Sequence, residues 1–156
     1  MVKKKDKPSI NYAAQNRKAR YEYAIEEKFE AGIVLTGSEV KSLRAGKSNI
    51  QDSYAAEVSG ELFLLNSYIP SYNNAGNFNH EPKRQRKLLL HKRQMNKLLG
   101  RLKTKGIALV PLSIYFNKKG IAKVELAIGK GKTNYDKRQS EKKRDWEREK
   151  AQAMRE

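Results

Sequence analysis

Two apolar runs, IALVPLSIYF from Ile107 and IAKVELAIG from Ile121, are separated by Asn117-Lys118-Lys119-Gly120. A glycine-ended loop of that length between β-branched, apolar runs reads as a hairpin. The second run alternates: Ile121, Lys123, Glu125 and Ala127 take one parity, Ala122, Val124, Leu126 and Ile128 the other. Such strands carry one face that must be covered and edges that must be paired. The chain is thereby committed to a larger antiparallel sheet.

Further strands are readable upstream. YEYAIEEKFEAGIVLTG suits two short strands or one long strand bent at Gly32, and YAAEV, Ser59-Gly60 and ELFLLNSYI read as a second hairpin closed by Pro70. Between them SEVKSLRAG predicts a short helix, with Ser38 placed to cap, Glu39 in its first turn and Gly46 to stop it. SYNNAGNFNHEPKRQR reads as a loop. After it, Leu88, Leu89, Met95, Leu98, Leu99 and Leu102 recur at helical spacing and predict the main helix, from Lys87 to about Lys103. About six strands interrupted by one long helix predict an OB-like six-stranded antiparallel β-barrel with flanking helices. The expected organisation is a basic N-terminal arm over residues 1–15, the barrel over 16–130 and a C-terminal tail over 131–156.

Charge narrows the partner. Thirty-four Lys+Arg against seventeen Asp+Glu give a formal net charge of +17, which concentrates any polyanion near the chain. Nucleic acid leads and an acidic membrane surface is the rival, with a merely soluble basic protein as the plain alternative. There is no cysteine, so neither disulfides nor thiolate metal sites are available. The N-terminal MVKKKDKPSI is followed by no apolar run, and no stretch approaches the ~20 apolar residues of a membrane span. A protein of the reducing cytoplasm, without membrane association, is expected.

Catalytic patterns are weak. A metal-dependent nuclease needs converging carboxylates and a histidine-based one needs two imidazoles on one phosphate. Glu26, Glu27 and Glu30 read as solvent-facing strand carboxylates, and His91 sits among cations. No catalytic residue, metal or cofactor is expected. The basic clusters are sharper. Lys41, Arg44 and Lys47 lie on and after the short helix, where they can meet phosphate or simply be solvated. Lys83, Arg84, Arg86, Lys87, Lys92 and Arg93 gather around the expected start of the main helix, an arrangement unfavourable with its dipole unless an anion binds there. In GKGKTNYDKR, Lys130 and Lys132 can follow phosphates and Tyr135, beside Asp136, Lys137 and Arg138, can stack on a base; a plain linker is the alternative.

The tail builds no core. Trp146, Lys150, Ala153 and Met154 share a side at helical spacing, but Glu141 and Asp145, Asp145 and Glu149, and Arg144 and Arg148 repel at i,i+4. The tail is expected to be disordered when free and to order on a partner that offers an anionic surface and a place for the indole.

FEAGIVLTGSEVKSLRAGKSNIQDSY, FNHEPKRQRKLLLHKR, LVPLSIYF and KVELAIGKGKTNYDKR closely resemble, in order and spacing, the SsrA-binding (small protein B) family of bacterial trans-translation. The match runs from about Ile10 to Arg148. It implies an OB-like barrel that binds the tRNA-like domain of transfer-messenger RNA (tmRNA), stands in for its missing anticodon arm, and enters the A site of stalled 70S ribosomes. Alanylated tmRNA carried by elongation factor Tu is an implied partner, and the free protein is expected to be a monomer. Glu30, Leu89 and Lys123 match positions that resemble the family's tmRNA-contacting surface. Tyr135, followed by Asp136, Lys137 and Arg138, resembles its stacking element in the 16S rRNA decoding centre. The resemblance also places Lys142, Lys143, Arg144, Trp146 and Arg148 in the mRNA channel as a helix. AQAMRE, at the end, departs from the pattern. An RNA-processing enzyme and a generic ribosomal or cold-shock-like module are the competing classes, separable by whether bound RNA survives incubation with Mg²⁺.

Overall fold

A computed structural model of the chain describes residues 11–73, 79–132 and 134–155, without the side chains of residues 134–136 and 140. Most of the expected arm, residues 1–10, and the side chains of Tyr135 and Asp136 lie outside the described residues. In chain order the elements are β1 (Asn11–Gln15), α1 (Ala19–Glu22), β2 (Tyr23–Ile33), α2 (Gly37–Arg44), β3 (Tyr54–Val58), β4 (Glu61–Leu65), β5 (Arg86–Leu89), α3 (Lys92–Leu102), β6 (Ile107–Phe116), β7 (Ala122–Gly131) and α4 (Asn134–Ala153).

Six strands pair in the order β6-β3-β4-β5-β2-β7, and β7 pairs again with β6. That second pairing closes the ring, which removes the edges that the long hairpin would otherwise expose. Every pairing is antiparallel. β1 is a seventh strand: it pairs with Ser113–Phe116 at one end of β6, while β3 meets β6 at Leu109. The arm expected over residues 1–15 therefore gives up Asn11–Gln15 to the sheet, because the free edge at the end of β6 accepts another strand. Pro111, which has no N–H, sits at a register shift between Pro111 and Ser113, where a strand tolerates it.

The barrel interior holds Leu62, Leu64, Leu109, Ile114, Val124, Leu126 and Ile128, capped by Leu43 of α2 and Leu98 of α3. The alternation read along β7 is observed, with Ala122, Val124, Leu126 and Ile128 buried. β6 is buried on its other face too, where Val110 and Leu112 pack with Ala19 of α1 and Ala127. Its near-continuous apolar run follows from that. The Ser59-Gly60 turn joins β3 to β4 with both residues at positive φ (52° and 81°), as a two-residue hairpin requires.

Two local expectations change. Helix α2 is capped by Thr36 in a capping box with Glu39, whereas Ser38 turns to bond His80 Nδ1 at 2.8 Å. The main helix begins at Lys92; residues 87–89, read as its first turn, instead belong to β5, paired with β2 and β4. Leu88 then points into the core and Leu89 outward, a period of two that a helical reading of KLLL conceals. The cations of residues 83–87 accordingly lie on and before a strand, not at a helix N-terminus. The tail, expected to become helical on a partner, forms helix α4, within which Glu141 accepts from the Tyr21 hydroxyl at 2.8 Å. That contact supplies a nucleus that repelling i,i+4 pairs alone do not.

Candidate RNA-binding surface

Strands β2, β5 and β7 lie side by side, and Gly32 of β2 faces Leu89 on one neighbour and Lys123 on the other. Because Gly32 has no side chain, Leu89 settles close over it; a Cβ there would meet the Leu89 Cβ at 3.2 Å. A groove of about 430 Å³ results, bordered by Glu30, Leu89, His91, Gln94, Ile121 and Lys123. Leu89 and Ile121 are each 51% exposed, unusual for aliphatic side chains on neighbouring elements and suited to covering by a partner. Glu30, two residues before Gly32, shares its face of β2. Thus the three residues singled out by resemblance, at sequence positions far apart, border one groove.

The carboxylate of Glu30 accepts a hydrogen bond from the Tyr115 hydroxyl. Burial first, then the Glu30 hydrogen bond and charge, push the Tyr115 phenol well above its ordinary pKa, so it stays a donor at every physiological pH. The groove offers one ammonium for phosphate, one carboxylate for base or ribose donors, and an apolar wall. That is a surface for positioning nucleic acid.

The other basic candidates divide by environment. Lys41 and Arg44 are exposed on the last turn of α2, over the Tyr72 ring (5.8 Å) and the Phe116 ring (4.5 Å) respectively. Lys87 reaches Glu61 at 2.9 Å, Lys130 is exposed, and Lys132 donates to the Arg20 carbonyl at 3.0 Å. Arg86 leaves the RNA-facing set: it has no exposure, and its guanidinium pairs with Glu39 while also donating to the Ser67 carbonyl and hydroxyl and the Pro82 carbonyl. Arg84, about one-third exposed, bonds the other Glu39 oxygen at 2.6 Å. Burial raises the Glu39 pKa, but the hydrogen bonds from Arg84 and the Thr36 amide together with the Arg86 charge outweigh it and hold the carboxyl below the usual range. The buried glutamate that caps α2 is thus also the counter-ion of the basic cluster.

On α4, Lys137 and Arg144 lie over the Tyr21 ring at 5.8 and 5.5 Å. Arg138, Lys142, Lys143 and Arg148 are exposed, and Trp146 is 60% exposed with Lys150 over its ring at 5.1 Å. Sequence reasoning missed Tyr21 and Tyr115 as partners. The partner of each, Glu141 and Glu30, is more than eighty residues distant in the chain, and no local spacing announces it. It missed His80 as well: Nε2 donates to the Ile69 carbonyl at 2.9 Å and Nδ1 lies 2.8 Å from the Ser38 hydroxyl, so the ring serves as a buried clasp. The Glu26, Glu27 and Glu30 carboxylates are engaged by Arg101, Lys97 and Tyr115.

The model of the family described as SmpB protein matches residues 13–156. An SsrA-binding protein of a Bradyrhizobium species is 58% identical over 151 residues, covering 97% of this chain and 96% of its own. One from Afipia carboxidovorans is 57% identical over 155 residues, covering 99% and 98%. Among solved structures, a chain from "tmRNA-SmpB: a journey to the center of the bacterial ribosome" is 50% identical with a TM-score of 0.65, covering 80% of this chain and 90% of that one. With a family model spanning nearly the whole chain and relatives this similar end to end, the chain belongs to the SmpB protein family.

Proposed function

We propose that this protein is an RNA-binding adaptor of ribosome rescue: it binds the tRNA-like domain of tmRNA through its barrel and brings it to the A site of stalled ribosomes for trans-translation. The observation that carries the reading is the groove in which Glu30, Leu89 and Lys123 meet around Gly32. Its support is the family itself, whose members here are SsrA-binding proteins, with a structural relative described in a tmRNA and ribosome setting. An adaptor acting on ribosomes would do so in the bacterial cytoplasm.

The barrel contributes shape and charge and the tail contributes reach. Lys123 draws a phosphate, Glu30 receives donors from ribose or base, and Leu89 packs against the sugar-base surface. Lys41, Arg44, Lys87, Lys130 and Lys132 extend the cationic surface, which raises affinity at low salt without reading sequence. Tyr135, Asp136, Lys137 and Arg138 would enter the decoding centre, Tyr135 as a stacking ring. Lys142, Lys143, Arg144, Trp146 and Arg148 would follow rRNA along the vacant mRNA channel, with alanyl-tmRNA delivered alongside elongation factor Tu. The role is positioning, not catalysis: the clustered carboxylates of β2 are already engaged in ion pairs and a tyrosine bond, and hold none of the arrangement a nuclease would need.

The test measures binding of the tRNA-like domain and peptide tagging on stalled ribosomes for Lys123→Glu and Leu89→Ala. Reduced affinity with a parallel loss of tagging is expected. Parental affinity for both variants would refute the groove as the tmRNA site.

A further inference from the structure

The outward face of the β3–β4 hairpin has no part in the groove. Directly paired residues of an antiparallel ladder share a face. Tyr54 pairs with Leu65, Ala56 with Phe63 and Val58 with Glu61, so five apolar side chains lie together on the side away from buried Ala55, Leu62 and Leu64. An antiparallel sheet with one face in water alternates apolar with polar, whereas a run apolar on both parities belongs to a strand covered on both faces. ELFLL is such a run. β6 is as apolar and has α1 over its outer face, but no described helix packs on β3 or β4 in that way. None of the five side chains belongs to either buried cluster or packs against one. Tyr54 is 46% exposed and the other four are half-buried. Contiguous apolar side chains on an outer surface mark a contact face.

Charge says what covers it. Residues 48–82, which hold both strands, contain no Lys or Arg in a chain with thirty-four, yet include Asp52, Glu57, Glu61 and Glu81. The nearest cation, Lys87, lies beside Phe63 on β5 and is paired with Glu61 at 2.9 Å. Asp52 and Glu57 are exposed, and neither is in a salt bridge with a described residue. Next to Tyr54 a cavity of about 380 Å³ is lined by Glu22 and Asp52 together with Tyr23, Leu102 and Leu109. Apolar walls with two carboxylates suit a Lys or Arg side chain, whose methylene stem covers apolar surface while its charged head stays at the rim.

These features select among partners. A face without cations and rimmed by carboxylates repels nucleic acid and anionic lipid alike. A second copy meeting the same face across a two-fold axis would set Asp52 and Glu57 against their own kind. A cationic protein segment satisfies both the apolar stripe and the carboxylates.

We infer that the β3–β4 face docks a basic protein, through a Lys/Arg-rich segment that lays apolar side chains on Tyr54 and Phe63 and places a cation in the cavity beside Tyr54. The barrel is then two-sided, with RNA on β2, β5 and β7 and a protein on β3 and β4. This goes beyond the proposed tmRNA binding and does not depend on it.

The experiment titrates isotopically labelled full-length protein with a synthetic peptide of alternating Lys and Leu, and with its counterpart carrying Glu for Lys. The basic peptide should shift the amide resonances of Tyr54–Val58 and Glu61–Leu65, and the acidic one should not. Phe63→Ser, with Tyr54→Ser as a second variant, should weaken the basic peptide by roughly tenfold or more. Asp52→Lys/Glu57→Lys should weaken it by about 2- to 30-fold. Thermal melting checks the fold of each variant, and affinity for the tRNA-like domain should stay parental in Phe63→Ser and Tyr54→Ser while Lys123→Glu, measured in parallel, loses it. On stalled 70S ribosomes, Phe63→p-benzoylphenylalanine should cross-link to a basic protein. Shifts that fall elsewhere, equal binding of the acidic peptide, parental peptide affinity in both serine variants, or a cross-link to RNA alone or to nothing would each overturn the inference. So would a folded Phe63→Ser that loses tRNA-like-domain affinity, which would make the face an RNA surface, or a dimer in sedimentation that Phe63→Ser abolishes, which would make the partner a second copy. If only Lys123→Glu fails to act, the proposed function falls and this inference stands.

Discussion

Replacing Glu39 by Ala would leave the Arg86 guanidinium enclosed in the barrel wall with no solvent exposure and no counter-ion. Removing one partner of a buried ion pair typically costs about 3–5 kcal/mol, because the remaining charge is neither paired nor solvated. The Thr36 amide also loses its capping-box acceptor at 2.9 Å, while Arg84, about one-third exposed, can turn to water and adds little. A total near 4 kcal/mol is expected, a large share of the ~5–15 kcal/mol that holds a typical domain together. In urea, with m of roughly 1–3 kcal/mol per M, the midpoint should fall by about 1.3–4 M. Arg86→Ala should cost as much or more, since Ser67 and Pro82 lose their donor. The double substitution should cost at least about 1–3 kcal/mol less than the sum of the singles, which measures the pair directly. The exposed Lys97–Glu27 pair at 2.8 Å is the control, with a coupling under about 1 kcal/mol. Protein that remains folded should bind tmRNA within a few-fold of the parent, because Arg86 does not reach the surface. A Glu39→Ala cost below about 1 kcal/mol, a coupling near zero, or a selective loss of RNA binding from a folded Arg86 variant would refute the reasoning.

Because the folded pKa of Glu39 lies below its unfolded value of about 4.3, its contribution is complete above that pH and is lost as pH falls through the folded value. The melting temperature of the parent should therefore drop more steeply below about pH 4 than that of Glu39→Gln, and equal slopes would contradict the linkage. Tyr115→Phe removes the donor that holds Glu30; tmRNA affinity should fall about three- to tenfold, with no further effect in a Glu30→Ala background. Truncation after Lys132 should leave melting and tmRNA affinity close to parental but abolish tagging, and a parallel loss of both activities would place the tail in the RNA-binding body. Tyr21→Ala should speed amide exchange in the first turns of α4, since that ring carries Lys137, Arg144 and the bond to Glu141; unchanged exchange would show that the helix is not anchored there.

Features set by neighbouring residues were legible in the sequence. Alternation along β7, the glycine turns at Gly60 and Gly120, and the end of α2 at Gly46 depend on backbone sterics and side-chain period, which act within a few residues. Net charge, also additive along the chain, indicated a polyanionic partner. Family resemblance picked out Glu30, Leu89 and Lys123, but not that they border one groove, since that depends on the register of three strands around Gly32. KLLL illustrates the limit: leucines before a helix satisfy a helical period equally well, and only pairing with β2 and β4 makes Leu88 and Leu89 part of a strand. The basic run illustrates it again. Arg84, Arg86 and Lys87 are nearly equivalent by composition, yet Arg86 alone is fully buried and Arg84 joins it on one carboxylate, because Glu39, more than forty residues away, is carried by the Thr36 cap to where β5 begins. Burial and ion pairing depend on distances in space, and only closure of the barrel sets those distances for residues so far apart in the chain.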